Sequence, residues 1–182
     1  MLTSFLLLLA SLSFTPQTPA QDGEIWVLVD TRAMTVSVLE GDSVKRVYEN
    51  ISLGRGGTTL DKSKDDEKTP LGEYRIARIA KRTPFHRFFG LDYPSAEQAE
   101  RAFQAGVINE RQYRSIRTAM RRGEAPPQNT PLGGYLGIHG VGEGDQRIHE
   151  NFNWTNGCIA LSNEQIDDMA RWIHIGTRVV VR

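Results

Sequence analysis

Short apolar segments with the length of β-strands, separated by polar turns, occur in the first half of the chain. Residues 25–30, 34–40 and 44–48 are rich in β-branched and aromatic side chains and are separated by turn-forming pairs. This pattern predicts an antiparallel meander, which residues 51–54 continue before a glycine-rich break. Another strand is predicted over residues 73–79.

The period changes to about 3.6 residues in the segment that follows. Ser95 with Gln98 forms a candidate capping box, and Asn109 is placed to cap a second helix. We therefore predict a helical hairpin inserted within residues 95–127. Five arginines accompany its apolar positions: Arg111, Arg114, Arg117, Arg121 and Arg122. They form either a solvated face or a lid-like rim that recognises carboxylates through planar guanidinium groups.

The strand pattern returns after the hairpin. Residues 135–139 predict a strand, and the Asn-Gly pair at 156–157 between apolar flanks is a strong turn signal. A Ser-to-Gln capping box at 162–165 opens a predicted C-terminal helix that Gly176 ends. A final strand is predicted over residues 177–181. The fold class is therefore a single, mainly β domain with two helical elements.

The composition excludes several classes of protein. The 182 residues include 22 Lys and Arg against 22 Asp and Glu, so the chain lacks the positive charge of a nucleic-acid binder. One cysteine excludes an intrachain disulfide framework, and 39% hydrophobic residues argue against disorder. Residues 61–68 hold only polar and charged side chains, and we interpret them as a solvated loop.

The first twenty residues carry no charge and predict a signal peptide. Their apolar run from 5 to 14, at about ten residues, is too short to span a bilayer and suits a secretory signal. Small residues at Thr18-Pro19-Ala20 suit a cleavage site, which would leave a domain of residues 21–182. No lysine or arginine precedes the run, so an uncleaved anchor is the alternative. No cysteine follows it, which excludes a lipoprotein anchor.

Cys158 and His139 are the candidate chemical groups. Cys158 follows a glycine in the predicted tight turn, and His139 ends a predicted strand upstream. A thiol attacks as a thiolate, and an imidazole beside it can take its proton. A tight turn also aims backbone N–H groups at one point, as an oxyanion hole requires. The alternative for Cys158 is a buried small hydrophobic residue.

Four segments resemble the bacterial L,D-transpeptidases, the family with the YkuD-type catalytic domain. Residues 138–140 (IHG) and 155–161 (TNGCIAL) are similar to that family's signature. Residues 51–54 resemble the strand before its glycine turn, and 68–74 resemble its T-P-x-G-x-F/Y element. The segments occur in the family's order across residues 25–181.

The resemblance implies a fold and a set of roles. The fold would be a mixed β-sandwich with a C-terminal helix. Cys158 would be the nucleophile and His139 its general base, oriented by the backbone carbonyl of Gly140. Backbone N–H groups of Asn156, Gly157 and Cys158 would line the oxyanion hole. No cofactor and no metal are implied.

Two positions depart from the family's pattern. Asn156 stands where the family often has His, and Ala160 stands where it often has Arg. The missing arginine removes one candidate for holding a substrate carboxylate, and the inserted hairpin could replace it. Four side chains are expected to contact the substrate: Tyr135, Thr155, Arg114 and Arg117.

The implied substrate is a peptidoglycan stem peptide, handled in the periplasm or cell envelope. Attack by Cys158 would expel a terminal D-residue and leave a thioester. An amine from a second stem, or a lysine of a wall-linked lipoprotein, would complete transpeptidation. Water as the acceptor would make the protein an L,D-carboxypeptidase or endopeptidase. No obligatory protein partner is implied.

Two other classes of function compete with this interpretation. A non-catalytic wall-binding domain could keep the fold without the reaction. A metal site could use His139, His149, His174 and Cys158, although none of them shows the short spacing of zinc ligands. We expect His149 and His174 to lie at the surface or at a helix end.

Overall fold

The computed structural model describes residues 23–182. Within that range the chain forms ten strands and four helices. In chain order these are β1 (Ile25–Asp30), β2 (Thr35–Glu40), β3 (Ser43–Glu49), β4 (Thr58–Thr59), β5 (Thr69–Pro70), β6 (Gly72–Thr83), β7 (His86–Leu91), α1 (Ala96–Gln104), α2 (Glu110–Arg121), β8 (Gly137–Gly140), α3 (Gln146–Asn151), β9 (Ile159–Leu161), α4 (Asn163–Met169) and β10 (Arg178–Val181). The predicted signal peptide, residues 1–20, lies outside the described residues.

Eight of the strands form one mixed sheet in the order β3-β2-β1-β10-β6-β7-β8-β9. The pairs β1–β10 and β8–β9 are parallel, and the others are antiparallel. Strand β6 has twelve residues and pairs with β10 near its start and with β7 farther along. This long strand therefore joins the β1–β3 meander to the half of the sheet that carries His139.

The segment after β3 returns to the far edge of this sheet. The backbone groups of Ser52 and Ala160 exchange two hydrogen bonds, of 3.0 and 2.8 Å, and Gly54 forms a bridge with Thr155. Residues 51–54 thus pair at single positions with β9 and with the segment before it, and they do not extend the meander as a strand. This return places the segment after β3 against the opposite edge of the sheet, where β9 lies.

A layer of valines forms the centre of the core. Val27 and Val29 pair with Val38 and Val36 on one side, and all four are inaccessible to solvent. On the other side β10 adds Val179 and Val181. Each fully buried valine contributes about 1.5–3 kcal/mol relative to an exposed one. The period-two pattern in the sequence is therefore the core-facing side of the sheet.

The helical hairpin forms as predicted and packs on the sheet. Ser95 and Asn109 accept hydrogen bonds from the third helical N–H of α1 and α2, and both capping boxes are complete. The Gln98 side chain donates to the Tyr74 hydroxyl at 2.5 Å, and Ile116 is fully buried. These contacts anchor the hairpin to the body of the domain.

Several elements differ from the sequence prediction. β7 and α3 were not predicted, because neither segment shows the alternation or the length that marks an element. α4 begins at its predicted cap but ends at Met169, and Ile173 is buried from the turn that follows. None of the helices within residues 23–182 is long and apolar enough to cross a bilayer.

Two predictions about exposure were wrong. The loop of residues 61–68 is not fully solvated, because the Lys62 side chain is only 3% exposed. His149 lies on α3 and is 3% exposed, whereas His174 is exposed as expected. In both cases another part of the chain covers the residue, which a local pattern does not reveal.

Candidate active site

One cavity brings the predicted thiol and imidazole together. Cys158 and His139 both line a cavity of about 330 Å³, whose aromatic wall consists of Phe85, Phe88 and Trp154. Other predicted site residues on the same cavity are Tyr135, Thr155 and Asn156. β8 and β9 are parallel neighbours, and His139 pairs with Ala160, two residues after Cys158, so the pairing of these strands brings the two groups close together.

His139 is held in one orientation by its neighbour. Its Nδ1 lies 2.7 Å from the carbonyl oxygen of Gly140. A carbonyl oxygen only accepts, so Nδ1 carries the proton and Nε2 keeps a free lone pair. A side chain at Gly140 would lie 2.7 Å from Asn163 Oδ1 and 2.9 Å from the Phe85 oxygen. Close packing therefore fixes the backbone that orients the imidazole.

Aromatic rings surround His139 and exclude water from it. The ring centroids of Phe85, Trp154 and Phe88 lie 4.5, 5.7 and 6.2 Å from that of the imidazole. This burial lowers the pKa of His139, against the Gly140 hydrogen bond, and the nearby His149 lowers it further. The imidazole is consequently neutral at pH 7 and able to accept a proton.

Residues Thr155–Cys158, here called the catalytic turn, are tied together by one hydroxyl. Thr155 Oγ1 donates to the Cys158 carbonyl at 2.7 Å and accepts the Gly157 N–H at 3.1 Å. The Thr155 backbone is itself paired with Leu53 and Arg55. Thr155 is 3% exposed, so the structure places it inside the turn as well as on the cavity wall.

Gly157 occupies a position that only glycine fits. Its φ is +125°, a backbone conformation that L side chains rarely adopt. An added Cβ would lie 2.6 Å from the Lys68 oxygen and 3.2 Å from Leu136 Cδ2. The residue before Cys158 therefore has a backbone conformation that favours glycine and is also closely packed.

The three predicted oxyanion donors are not equivalent. The Gly157 N–H is already bonded to Thr155 Oγ1, as described above. Within residues 23–182, the N–H groups of Asn156 and Cys158 donate to no acceptor. They are the two donors that remain free to bind a developing negative charge.

The Cys158 thiol is protonated at rest. Burial raises the pKa of the thiol to about 11, while a backbone hydrogen bond from Gly137 and the charge of Lys62 act in the opposite direction. The Sγ atom lies 3.7 Å from the Tyr135 carbonyl oxygen. With His139 neutral as well, both the thiol and the imidazole are uncharged, and a thiolate would form only if the imidazole took the thiol proton.

Sequence analysis missed the polar loop beneath the catalytic turn. Lys62 is buried, and its Nζ lies 2.5 Å from Asp66 Oδ1. The Cβ that Gly157 lacks would lie 3.3 Å from the same Nζ. No pattern in residues 61–68 marks one lysine among three as buried, so only the packing shows it.

A second buried histidine lies behind the cavity wall. The Trp154 Nε1–H donates to His149 Nδ1 at 3.3 Å, and the Ser52 hydroxyl lies 3.1 Å from the same nitrogen. Trp154 in turn meets His139 edge-on. His149 thus supports a side chain of the cavity wall, a role that its sequence position does not suggest.

The structure separates two of the predicted substrate contacts from the cavity. Arg114 and Arg117 line a different cavity, on the surface of α2. Arg114 pairs with Glu110 at 2.5 Å, and Arg117 donates to the Tyr113 hydroxyl at 3.1 Å. Tyr135, by contrast, is 70% exposed on the rim of the cavity that holds Cys158.

The two departures from the family pattern lie in different surroundings. Ala160 is fully buried in β9. Asn156 is exposed, and its Oδ1 accepts a hydrogen bond of 3.0 Å from Arg55, whose guanidinium also pairs with Glu67. A guanidinium group therefore stands at the rim beside Asn156, supplied by a different segment of the chain.

The described part of the chain gathers no metal ligands. Within residues 23–182, no group of three or more His, Cys, Asp or Glu side chains could hold an ion. His149 has Trp154 and Ser52 as partners, and His174 lies near Thr177. These residues do not converge with Cys158 on one point.

Comparison with known proteins agrees with this architecture. No curated protein sequence gives a significant match to the chain. Among solved structures, an L,D-transpeptidase fragment from Xylanimonas cellulosilytica is 16% identical with a TM-score of 0.51, and covers 92% of this chain and 65% of its own. Bd1075 from Bdellovibrio bacteriovorus is 17% identical with a TM-score of 0.56, covering 88% and 48%.

A third structure is the helical cell shape determining protein Pgp2 from Campylobacter jejuni, in its K307A form. It is 22% identical with a TM-score of 0.59, covering 88% of this chain and 47% of its own. The chain thus spans about half to two thirds of the length of these proteins, and the likeness concerns the fold. The sequence profile of the L,D-transpeptidase catalytic domain, YkuD, matches residues 24–181. The chain therefore belongs to the YkuD family of L,D-transpeptidase catalytic domains.

Proposed function

We propose that the protein is a cysteine-dependent peptidoglycan L,D-transpeptidase that acts on stem peptides through a thioester on Cys158. The observation that carries this proposal is the shared cavity of Cys158 and His139, with the imidazole oriented by the Gly140 carbonyl at 2.7 Å. Membership of the L,D-transpeptidase family supports the substrate class.

The first half of the reaction makes the thioester. His139 Nε2 takes the Sγ proton as Sγ bonds to the carbonyl carbon of the stem's third residue, and the carbonyl oxygen gains the negative charge. The N–H groups of Asn156 and Cys158 bind that oxygen. As the C–N bond breaks, the imidazolium gives its proton to the departing amine of the D-residue.

The second half transfers the acyl group to an acceptor. His139 removes a proton from an incoming amine, which attacks the thioester and releases the Cys158 thiolate, and that thiolate recovers the proton. A second cavity of about 420 Å³ adjoins the first and shares Tyr135 and Asn156 with it. It offers room for an acceptor, either the diamino acid of another stem or a lysine on a wall-linked lipoprotein.

Intact-mass spectrometry with a carbapenem tests the acylation step. We expect one covalent adduct on the native protein and none on Cys158→Ala, because the chain has one cysteine. His139→Gln should slow adduct formation by about a hundredfold or more, since general-base catalysis contributes 10²–10⁴-fold. An adduct that persists on Cys158→Ala would overturn the proposal.

Incubation with purified stem peptides identifies the acceptor. New dimers would support transpeptidation, whereas shortened monomers would assign the same nucleophile to an L,D-carboxypeptidase or endopeptidase. Unchanged peptides together with an unaltered protein mass would assign a wall-binding domain instead.

The proposal includes action in the periplasm or cell envelope, after export directed by a signal peptide at residues 1–20. Fractionation of cells that produce the full chain tests that location.

A further inference from the structure

Lys62 is a buried cation within an otherwise polar loop. Its side chain is 3% exposed, whereas lysine is almost never fully buried unless it has a partner. The partner is Asp66, whose Oδ1 lies 2.5 Å from Nζ and whose side chain is 17% exposed. A buried ion pair is weak support for stability, because desolvation offsets its attraction. Stability alone therefore does not account for this lysine.

Asp66 holds the ammonium in place. Its carboxylate also accepts the Ser63 N–H at 2.8 Å and the Lys68 N–H at 3.0 Å. Burial opposes the charged form, but these hydrogen bonds and the one from Lys62 keep the pKa of Asp66 below its ordinary value. The loop is thus folded around the ionised carboxylate of Asp66, which holds the Lys62 ammonium group inside the protein.

This ammonium lies directly against the catalytic turn. A Cβ on Gly157 would be 3.3 Å from Lys62 Nζ, and no side chain separates the two. The same lysine lines the cavity that adjoins the one holding Cys158. Its charge therefore acts across the backbone of the residue that precedes the nucleophile, in a region of low effective dielectric constant.

We infer that Lys62 is a positioning residue of the reaction, whose fixed positive charge stabilises the Cys158 thiolate and the oxyanion formed next to it. The inference rests on the proposed function for the identity of the nucleophile. Lys62 takes up no proton and forms no bond in the reaction. It lowers the energy of the negative charge that passes from Sγ to the substrate oxygen and back.

The electrostatic surroundings of Cys158 single out this lysine. The charge of Lys62 lowers the pKa of the thiol, against the larger effect of burial. The other titratable or charged groups around the turn are the neutral His139, the half-buried Asp66 and Lys68, the exposed Lys64 and Asp65 on the adjoining cavity, the Arg55–Glu67 pair at the rim and His149 behind Trp154. Among them, Lys62 is the buried cation.

The test measures the thiol itself and requires no substrate. The rate of alkylation by iodoacetamide is followed against pH, and Cys158 reports alone because it is the one cysteine of the chain. We expect the midpoint to rise in Lys62→Met, because the variant loses a positive charge that lowers the pKa of the thiol. Lys62→Arg should keep the midpoint near that of the native protein.

The direction of the shift distinguishes an electrostatic role from a structural one. If Lys62 only packs the loop, its loss admits water and moves the midpoint down toward the ordinary thiol value. Lys62→Gln is also neutral but can still donate a hydrogen bond to Asp66. If Lys62→Met fails to fold, the alkylation midpoint of Lys62→Gln provides the test. A midpoint that is unchanged or lower in a folded neutral variant would overturn the inference. Formation of a carbapenem adduct on Cys158 would still support the proposed function in that case, so each proposal can be overturned without the other.

Discussion

The catalytic turn and the inserted helical hairpin are built on opposite principles. Each hairpin helix begins at its own capping box, and Arg114 and Arg117 pair with groups on the same helix or on its partner. The turn consists of Thr155–Cys158. It depends on the buried Lys62, on the backbone pairing of Thr155 with Leu53 and Arg55, and on Gly157, whose position no other residue fits. Local sequence thus specifies the hairpin, whereas remote contacts specify the turn.

This difference has an energetic consequence. The hairpin can lose one exposed contact at a cost of a few tenths to about 1 kcal/mol and keep its shape. The turn holds buried polar groups whose partners are each unique, so removing one leaves another unsatisfied. Paired substitutions in the two regions therefore test the contrast.

The largest contrast is expected between two glycines with positive φ. Gly157→Ala places a methyl 2.6 Å from the Lys68 oxygen, and we expect acylation to fall by about a hundredfold or more because the nucleophile is displaced. Gly123→Ala, at φ +67° after α2, meets no atom within 4 Å among the described residues. It should cost about 1–2 kcal/mol of unfolding free energy and leave acylation unchanged. Equal effects on acylation would contradict the contrast.

The next contrast compares two side chains that accept a backbone N–H. Thr155→Val removes the hydroxyl that binds both Gly157 N–H and the Cys158 carbonyl, and we expect about tenfold slower acylation, equivalent to ~1.4 kcal/mol. Thr155→Ser should restore the rate. Asn109→Ala removes the cap of α2 and should cost about 1 kcal/mol of stability without changing the rate. Stopped-flow acylation and denaturant unfolding measure the two quantities.

The next prediction concerns the pH dependence of the unfolding free energy, to which His149 contributes from the half of the molecule that holds the turn. Burial lowers the pKa of His149, so its stabilising contribution is complete above the unfolded value of 6.5 and is lost as the pH falls below it. Between pH 6.5 and 5, the native protein should lose up to about 1.4 kcal/mol per pH unit more than His149→Gln. The hairpin helices contain no histidine. Parallel stability curves for the two proteins would count against a buried neutral His149.

The smallest effect is expected from the arginines of the hairpin. Arg114 and Arg117 line a cavity apart from the thiol, and their ion pairs are exposed. The double variant Arg114→Gln/Arg117→Gln should change kcat/KM for a short stem peptide by less than about twofold. If the double variant is less active on intact peptidoglycan sacculi but not on short stem peptides, the hairpin recognises the polymer, as a lid-like rim would.

Much of the fold could be predicted because it follows local rules. β1 to β3 have the alternation that a half-buried sheet requires, and the caps at Ser95, Asn109 and Ser162 all occur where expected. β7 escaped prediction because its pattern does not alternate cleanly. α3 escaped because its six residues are too few to show a period.

The candidate site divides in the same way. Cys158, His139 and Gly140 could be proposed from sequence because their chemistry and their resemblance to a family signature mark them one by one. Lys62 and His149 were not found, since a lysine in a charged loop and a histidine on a short helix are ordinary in sequence. Their burial exists only once residues far apart in the chain pack around them.

The sequence alone therefore determined the strands of the meander, the helical hairpin and the family, and it indicated Cys158 and His139 as the candidate nucleophile and base. Each of these depends on residues within a few positions of one another or on a short signature. The tertiary structure alone decided which donors of the turn stay free, where the hairpin arginines lie and which charge stands beneath Gly157. Those features depend on low-dielectric surroundings and close packing, which arise only when the edges of the sheet come together.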